Sequence, residues 1–376
     1  MYYKNGRIFT KNFSFQTGGF EVTEEGVFRN VLGKNIPEDA VDLQGATVIP
    51  GLVDIHIHGA MGRDFSDGNL EDLTSMASYL CSQGITAFAP ASMTLPYEAL
   101  QKAYDSAKTF RQEHRSGCAR LMGVHMEGPY FSQKKKGAQN GSYLKAPDFP
   151  GFEKLYRNCG GIIAIVDIAP ELPGAEEFIR QASKLCTVSV AHTDSDYDHA
   201  TAAFSAGATH LTHLYNAMPG IHHRNPGVVP AAVENPNVRA ELICDGLHIH
   251  PASVRLAFSM FGPQRMVLIS DALRCCGMPD GEYELGGQKV YLSGGVAKLA
   301  DGTIAGAATN LYDGMRNAMA FGIAEEDAVR AATYNPACAI GADKQLGSVE
   351  DGKLADFLIC SPDYAQKRVF LGGKEI

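Results

Sequence analysis

The residues of this chain best equipped for chemistry begin with two histidines one position apart, His56 and His58, in Pro50-Gly-Leu-Val-Asp-Ile-His-Ile-His-Gly59. Val53, Ile55 and Ile57 alternate with Asp54, His56 and His58. Successive side chains of a strand point to opposite faces, so both imidazoles leave on one side. Their backbones stand about 7 Å apart, close enough for two nitrogens to converge on one metal. An isolated His-x-His in a strand reads first as an ordinary polar pair, and only further ligand-type residues overturn that. They follow at the ends of later apolar runs: Glu127, His192, His213 and Asp271. Four imidazoles and two carboxylates suffice for a metal centre with an open position for water.

Such residues act together only if strand ends are gathered in one place. Apolar runs over 52–58, 85–92, 121–127, 161–169, 187–192, 209–214, 239–245 and 265–270 read as eight strands. Helical periodicity falls between or after most of them, at 70–83, 97–114, 175–185, 196–205, 252–261, 310–321 and 325–333. This alternation over roughly 300 residues predicts an α/β fold, a closed (β/α)8 TIM-type barrel of the metal-dependent hydrolase kind, with chemistry at the carboxyl ends of its strands. A doubly wound open sheet is the alternative, and no Gly-x-Gly-x-x-Gly follows an early strand to support it. Residues 1–47 and 346–376 carry short β-like pieces punctuated by Gly, Asn and Asp. Short strands must pair with something, so both termini are expected to form one small β-sandwich domain, leaving 48–345 to the barrel. The Gly-rich stretch 281–305 reads as a hairpin between the eighth strand and its helix.

With 376 residues, 45% of them hydrophobic, the chain can bury a large core. Its net charge of −9 disfavours nucleic acid and anionic membrane surfaces as partners. A small anionic substrate stays open, because local cations override a weak global field at close range. Lys134, Lys135 and Lys136 read as a solvated loop. Nine cysteines without a Cys-x-x-Cys read as reduced thiols, mostly in the core. No run of about eighteen apolar residues occurs, and the first residues lack a secretory signal's apolar segment, so a cytoplasmic location is expected.

Together with the His-x-His segment, His125-Met-Glu-Gly-Pro-Tyr130, Ala191-His-Thr193, Thr212-His-Leu-Tyr-Asn-Ala-Met218 and Ile269-Ser-Asp-Ala272 resemble the amidohydrolase superfamily and, within it, the N-acetylglucosamine-6-phosphate deacetylase family. The likeness runs nearly end to end, since 331–341 and 347–356 also resemble that family's closing segments. His-x-His is widespread among amidohydrolases; the blocks around Glu127 and His213 are more specific. The resemblance implies hydrolysis of N-acetylglucosamine 6-phosphate to glucosamine 6-phosphate and acetate in amino-sugar catabolism, with the galacto epimer as the alternative substrate. It implies that Glu127, His192 and His213 hold one divalent metal, and His56 and His58 a second bridged through Glu127. Some relatives lack the first pair and use a single ion. Zinc or iron comes first, with manganese and cobalt also compatible.

The same resemblance casts Asp271 as general base and acid. Amide hydrolysis needs a nucleophilic water, a polarised carbonyl and a proton for the leaving amine, and a carboxylate beside the metal can carry that proton. The sugar phosphate is expected against Gln139, Asn216, Ala217, Arg224 and His248, in a homodimer whose Arg224 loop reaches the neighbouring site. Where this chain has Gln139, some relatives carry histidine and others glutamine. Asp54 and His125 are expected to orient ligands. His199, His210 and His250 read as packing, supporting or surface residues, Cys275 and Cys276 as loop thiols, and His222 and His223 are open. A dihydroorotase-type enzyme would need a lysine at the end of the fourth strand, and 161–170 contains none. A purine deaminase usually lacks the Glu-Gly-Pro block and the phosphate loop, and a barrel kept only for assembly would have lost ligands or base.

Overall fold

A computed structural model describes residues 1–33, 35–113 and 115–376. Eight parallel strands form the catalytic half of the architecture: β1 (Leu52–Ile57), β2 (Ile85–Ser92), β3 (Val124–Tyr130), β4 (Ile163–Ile168), β5 (Thr187–Val190), β6 (His210–Leu211), β7 (Arg239–Ile243) and β8 (Met266–Ile269). Each pairs in parallel with the next in sequence. On β2 the period of two is visible in the packing. Phe88 joins the large apolar cluster shared with the helices, whereas Ala87 and Ala89 join a smaller one with Val53, Ile55, Ile165, Ile243, Val267 and Ile269.

Between β8 and β1 no regular ladder forms among the described residues. The curled sheet is instead drawn together at the carboxyl ends. There the Asp271 N–H donates to the His56 carbonyl at 2.9 Å and the His58 N–H to the Ala272 carbonyl at 2.9 Å. The seam of the barrel is therefore also the place where three of the chemistry-bearing residues meet.

Helices lie at Leu70–Ser82, Tyr97–Glu113, Ala175–Ala182, Tyr197–Ala206, Pro251–Phe261, Leu311–Ala320 and Glu325–Ala332. The expected end of the second, at residue 114, lies outside the described residues. Asn69 starts the first helix by accepting from the Glu71 and Asp72 N–H groups, satisfying donors that have no intrahelical partner.

Strands from both termini form a separate mixed sheet of eight strands. Its aromatic core shows that it rolls over on itself. Phe28, on the edge strand Phe28–Arg29, and Phe357, on Phe357–Cys360, have three strands between them in the hydrogen-bonded order. A flat sheet would hold them about 19 Å apart, yet their ring centroids are 5.7 Å apart. Thr47–Pro50 belongs to this sheet and leads through Gly51 into β1. Arg7 bridges to the barrel with a two-pronged bond to Glu325, at 2.6 and 2.7 Å.

The 281–305 stretch departs from the hairpin expected of it. It is an antiparallel meander of Gly281–Leu285, Gln288–Ser293, Val296–Leu299 and Ile304–Ala307. Gly286-Gly287 and Gly294-Gly295, all at positive φ, make the two-residue turns that only such residues allow, and Gly302 makes a third. Each glycine turn reverses the chain once, hence four strands rather than two.

Candidate active site

The site gathers at the carboxyl ends of the strands, with His56 and Glu127 within β1 and β3, and His58, His192, His213 and Asp271 just beyond a strand. His192, His213 and Asp271 adopt left-handed backbone, with φ of 44°, 29° and 49°, at an order of 1–3 kcal/mol each for residues other than glycine. This turns their side chains toward the mouth of the barrel. At the end of β3, Gly128 (φ 95°) has no room for a side chain, because a Cβ there would lie 2.1 Å from Thr94 Oγ1.

Glu127 occupies the centre. Its Oε1 lies 2.9 Å from His192 Nε2, 3.4 Å from His213 Nε2 and 3.8 Å from His56 Nε2. Its Oε2 lies 3.3 Å from His58 Nε2 and accepts from Gln139 Nε2 at 2.7 Å. Asp271 Oδ1 faces the same point from across the seam, 3.3 Å from His58 Nε2 and 3.6 Å from His56 Nε2. All six side chains are buried. They contain two groupings of metal-ligating geometry that share Glu127, one with His56 and His58 and one with His192 and His213.

The donor set fits a cation. His192 Nδ1 bonds the Lys135 carbonyl at 2.9 Å, and His58 Nδ1 the Ala91 carbonyl at 3.2 Å. A ring nitrogen facing a carbonyl must carry the proton, which leaves the lone pair on Nε2. His56 is fixed in the same way, Nδ1 donating to Glu241 at 2.9 Å, and its Nε2 is buried with no hydrogen-bond partner. His192 Nε2 and His213 Nε2 stand 3.0 Å apart. Lone pairs and carboxylates aimed at one buried point require positive charge there.

The protonation equilibria express the same demand. Burial raises the Glu127 carboxyl, but His192, His213 and His58 more than offset it and hold it well below the usual range. Asp271 is likewise lowered against burial by His58, His56 and His213. Burial works against a charged His58, yet Asp271 and Glu127 draw its pKa well above the ordinary value; His213 is pushed up to about 9 in the same contest. A divalent ion held there would supply the charge that these protons otherwise do.

Behind the ligands lies a polar network only partly foreseen. Glu241, on β7, is fully buried and accepts from His56 Nδ1 at 2.9 Å, His210 Nε2 at 3.1 Å and the His213 N–H at 3.2 Å. It did not stand out in sequence, although a carboxylate inside the apolar run Arg239-Ala-Glu-Leu-Ile was a signal available there. His125 is held between Asp167 (2.9 Å) and the Ile55 carbonyl (3.0 Å), and Asp54 accepts from the Ser270 N–H at 3.3 Å. Burial pushes the Asp54 carboxyl up to about 7.

A cavity of about 180 Å³ is lined by five of the six converging residues, His58, Glu127, His192, His213 and Asp271, and also by Gln139, Asn216, Ala217 and His248, with Leu285, Ile304 and Ala305 of the meander. Gln139 is braced at both ends, its Oε1 accepting from the Thr94 N–H at 2.8 Å while its Nε2 holds Glu127. His248 Nδ1 bonds Asp245 at 2.7 Å. Arg224 does not line this cavity. It sits on an exposed loop, its Nη1 2.7 Å from His223 Nε2. Cys275 and Cys276 are buried and belong to neither grouping; all nine cysteines are free. His199 is an exposed partner of Asp196, and His250 caps a helix by accepting from the Ala252 N–H.

The amidohydrolase family model matches residues 47–376. The chain is 36% identical to the N-acetylglucosamine-6-phosphate deacetylase of Bacillus subtilis (strain 168), over 96% of this chain and 90% of that protein. It is 31% identical to the N-acetylgalactosamine-6-phosphate deacetylase of Escherichia coli O157:H7, over 90% of each. Among solved structures, an aspartate-to-alanine variant of the Mycobacterium smegmatis N-acetyl-D-glucosamine-6-phosphate deacetylase, in complex with N-acetyl-D-glucosamine-6-phosphate, superposes with a TM-score of 0.91 at 31% identity, covering 100% of this chain and 98% of that one. With buried histidine and glutamate groupings that could hold a metal, the chain belongs to the amidohydrolase family and groups within it with the N-acetylglucosamine-6-phosphate deacetylases.

Proposed function

We propose that this chain deacetylates N-acetylglucosamine 6-phosphate to glucosamine 6-phosphate and acetate, in amino-sugar catabolism. The observation that carries the reading is the sharing of Glu127 between two histidine pairs, with the Asp271 carboxylate turned to the same point. Glu127, His192 and His213 would hold one divalent ion, and His56 and His58 with Glu127 a second. Zinc or iron leads, while manganese and cobalt also suit imidazole and carboxylate. A bound divalent ion supplies Lewis acidity and lowers the pKa of water toward about 7.

The chain's own groups do the rest. Asp271, kept ionised by the imidazoles around it, accepts the proton of the attacking water as the new C–O bond forms. It returns that proton to the nitrogen as the C–N bond breaks, so a neutral amine leaves together with acetic acid, which loses water's second proton to solvent as acetate. Gln139 fixes the Glu127 carboxylate, and the meander narrows access of bulk water to the cavity. Asn216, Ala217 and His248, which line the same cavity, would meet the sugar and its phosphate. Arg224, exposed in the isolated chain, would serve the phosphate of a neighbouring subunit, which makes the working form a homodimer. No helix among the described residues is long and apolar enough to cross a membrane, in keeping with a cytoplasmic metabolic enzyme.

The E. coli relative's name keeps N-acetylgalactosamine 6-phosphate as the second substrate, since the two differ in the orientation of one hydroxyl. Acetate release from both sugar phosphates, assayed with the metal content measured, tests the proposal. Turnover of either with metal bound supports a hexosamine-phosphate deacetylase, and the ratio of kcat/KM assigns the epimer. Turnover of neither, with the metal site full, refutes it.

A further inference from the structure

We infer that the chain carries a second small-molecule site, for a phosphate-bearing metabolite, at the amino-terminal ends of β5 to β8, the end of the barrel opposite the metal ligands. A hollow of about 650 Å³ opens there, reached by residues at or just before the starts of four successive strands: Thr187, Thr209, Arg239 and Arg265. Its volume lies within the roughly 300–1,000 Å³ of small-molecule pockets. Arg239, Arg265 and Arg330 line it, and no aspartate or glutamate does. In a chain of net charge −9, a concave surface with arginines and no carboxylate in its lining focuses a positive potential against the prevailing field.

What these arginines already bind separates structural from available cations. Arg265 spends its guanidinium on the carbonyls of Phe261, Ala232, Asn235 and Val233, so it is a helix-end clamp. Arg330 uses one N–H on Asn335 Oδ1 at 3.2 Å and stacks over the Phe13 ring at 3.7 Å. Arg239 has no ion pair or side-chain hydrogen bond among the described residues, and its Nε is buried without a partner. Burial lowers the Arg330 pKa, and repulsion from Arg239 adds to it, while Asp327 acts on it from outside the lining. A second hollow, of about 400 Å³, makes the contrast. It too is lined by three arginines, Arg111, Arg115 and Arg120, but Arg115 is paired with Glu71 and Glu113, and Arg120 with Asp356.

Arg239 Nε is a buried donor without a partner, and with no carboxylate between the Arg239 and Arg330 guanidiniums that line the hollow an anion there would meet both charges. The planar fork of arginine matches two phosphate oxygens at once. Thr209, Asn237 and Gln264 around the same hollow offer polar groups to the hydroxyls of a phosphorylated polyol. A phosphomonoester of sugar size satisfies both features.

The test is calorimetric titration of the full-length, metal-loaded chain with inorganic phosphate at fixed ionic strength. An Arg224→Ala background weakens any phosphate binding at the metal face. One binding event is expected to survive there, and Arg239→Gln should weaken it at least about tenfold, as expected for a charge-assisted bond. Asn237→Asp, which keeps the shape but adds a negative charge to the lining, should weaken it similarly. Because Arg239 has no partner to lose, the melting temperature of Arg239→Gln should be no lower than the parent's, and kcat on the sugar phosphate should stay within about twofold. If Arg239→Gln misfolds, Asn237→Asp alone decides. No phosphate binding in the Arg224→Ala chain, or binding that neither charge change weakens, overturns the proposal.

Discussion

Replacing Glu241 with glutamine isolates the part of the site that touches neither substrate nor the open metal position. Glu241 makes three bonds, to His56 Nδ1 at 2.9 Å, His210 Nε2 at 3.1 Å and the His213 N–H at 3.2 Å. A carboxylate accepts on both oxygens, whereas an amide accepts on one and donates on the other. In Glu241→Gln, therefore, either His56 or His210 must move its ring proton. If His56 moves it, the proton lands on Nε2, the nitrogen needed as a ligand. If His210 moves it, His56 keeps its tautomer but loses the negative charge that makes it a strong donor. Loss of such a supporting partner typically weakens metal binding about 10- to 100-fold, equivalent to about 1.4–2.7 kcal/mol. The assay is metal content and activity against free metal set by a competing chelator. The expected result is a curve displaced by one to two decades for the ion at His56 and His58, with kcat recovering at saturating metal and KM for the sugar phosphate unchanged. Coincident curves for variant and parent would refute the role of Glu241 in fixing His56. A deficit in kcat that saturating metal does not repair would place Glu241 in the chemistry instead.

Asp271→Asn keeps shape but removes the proton carrier, so kcat should fall by at least about 100-fold with metal content near the parent's; more than a tenth of parental kcat would pass the proton to another group, His248 being next. Glu127→Ala should lose metal and activity together, since Glu127 is common to both groupings, and full metal content by mass spectrometry would contradict that. Arg224→Ala should raise KM for the phosphorylated sugar far more than for an unphosphorylated analogue, and equal effects on both would reject the phosphate contact. For Arg7→Gln the signature lies in pH. Burial raises the Glu325 carboxyl, but Arg7 and Tyr364 hold it below its ordinary 4.5, so the stabilisation is full above the unfolded pKa and disappears as pH falls through the folded one. The melting-temperature gap between parent and variant should thus be widest near neutrality and close below about pH 4; a gap independent of pH would assign the effect to packing.

What the sequence disclosed and what it withheld follow one physical division. His56 and His58 were legible because strand periodicity alone sends both to one face, and Glu127, His192, His213 and Asp271 because each ends an apolar run that the barrel must terminate at its mouth. The left-handed backbone at His192, His213 and Asp271 could not be foreseen, since nothing local favours it in histidine or aspartate over a simple strand end. It is imposed by the convergence of β1, β3, β5, β6 and β8, a property of closure. The hairpin expected over 281–305 falls short for a smaller reason, that glycine content alone does not reveal the pairs at 286–287 and 294–295 as successive turns. Glu241 was the real omission. A carboxylate within an apolar strand is costly unless it is paired, so its presence required buried donors, and pattern alone could not say which.

Those donors explain why the seam between β1 and β8 is held at its carboxyl end alone. Glu241 fixes His56 from β7, the His56 carbonyl accepts from Asp271, and the Asp271 carboxylate returns to His58. Closure of the barrel and assembly of the groups that could hold a metal are therefore one event. Positive charge placed between Glu127 and Asp271 stabilises the closed form along with the site, because it relieves the repulsion of the two carboxylates, and a divalent ion would supply more of it than the imidazole protons that stand in without one. Stripping the metal should accordingly loosen the β1–β8 seam first: faster hydrogen exchange at the Asp271 and His58 amides than at those of β4 and β5 would be expected, and uniform exchange across the eight strands would separate metal binding from closure.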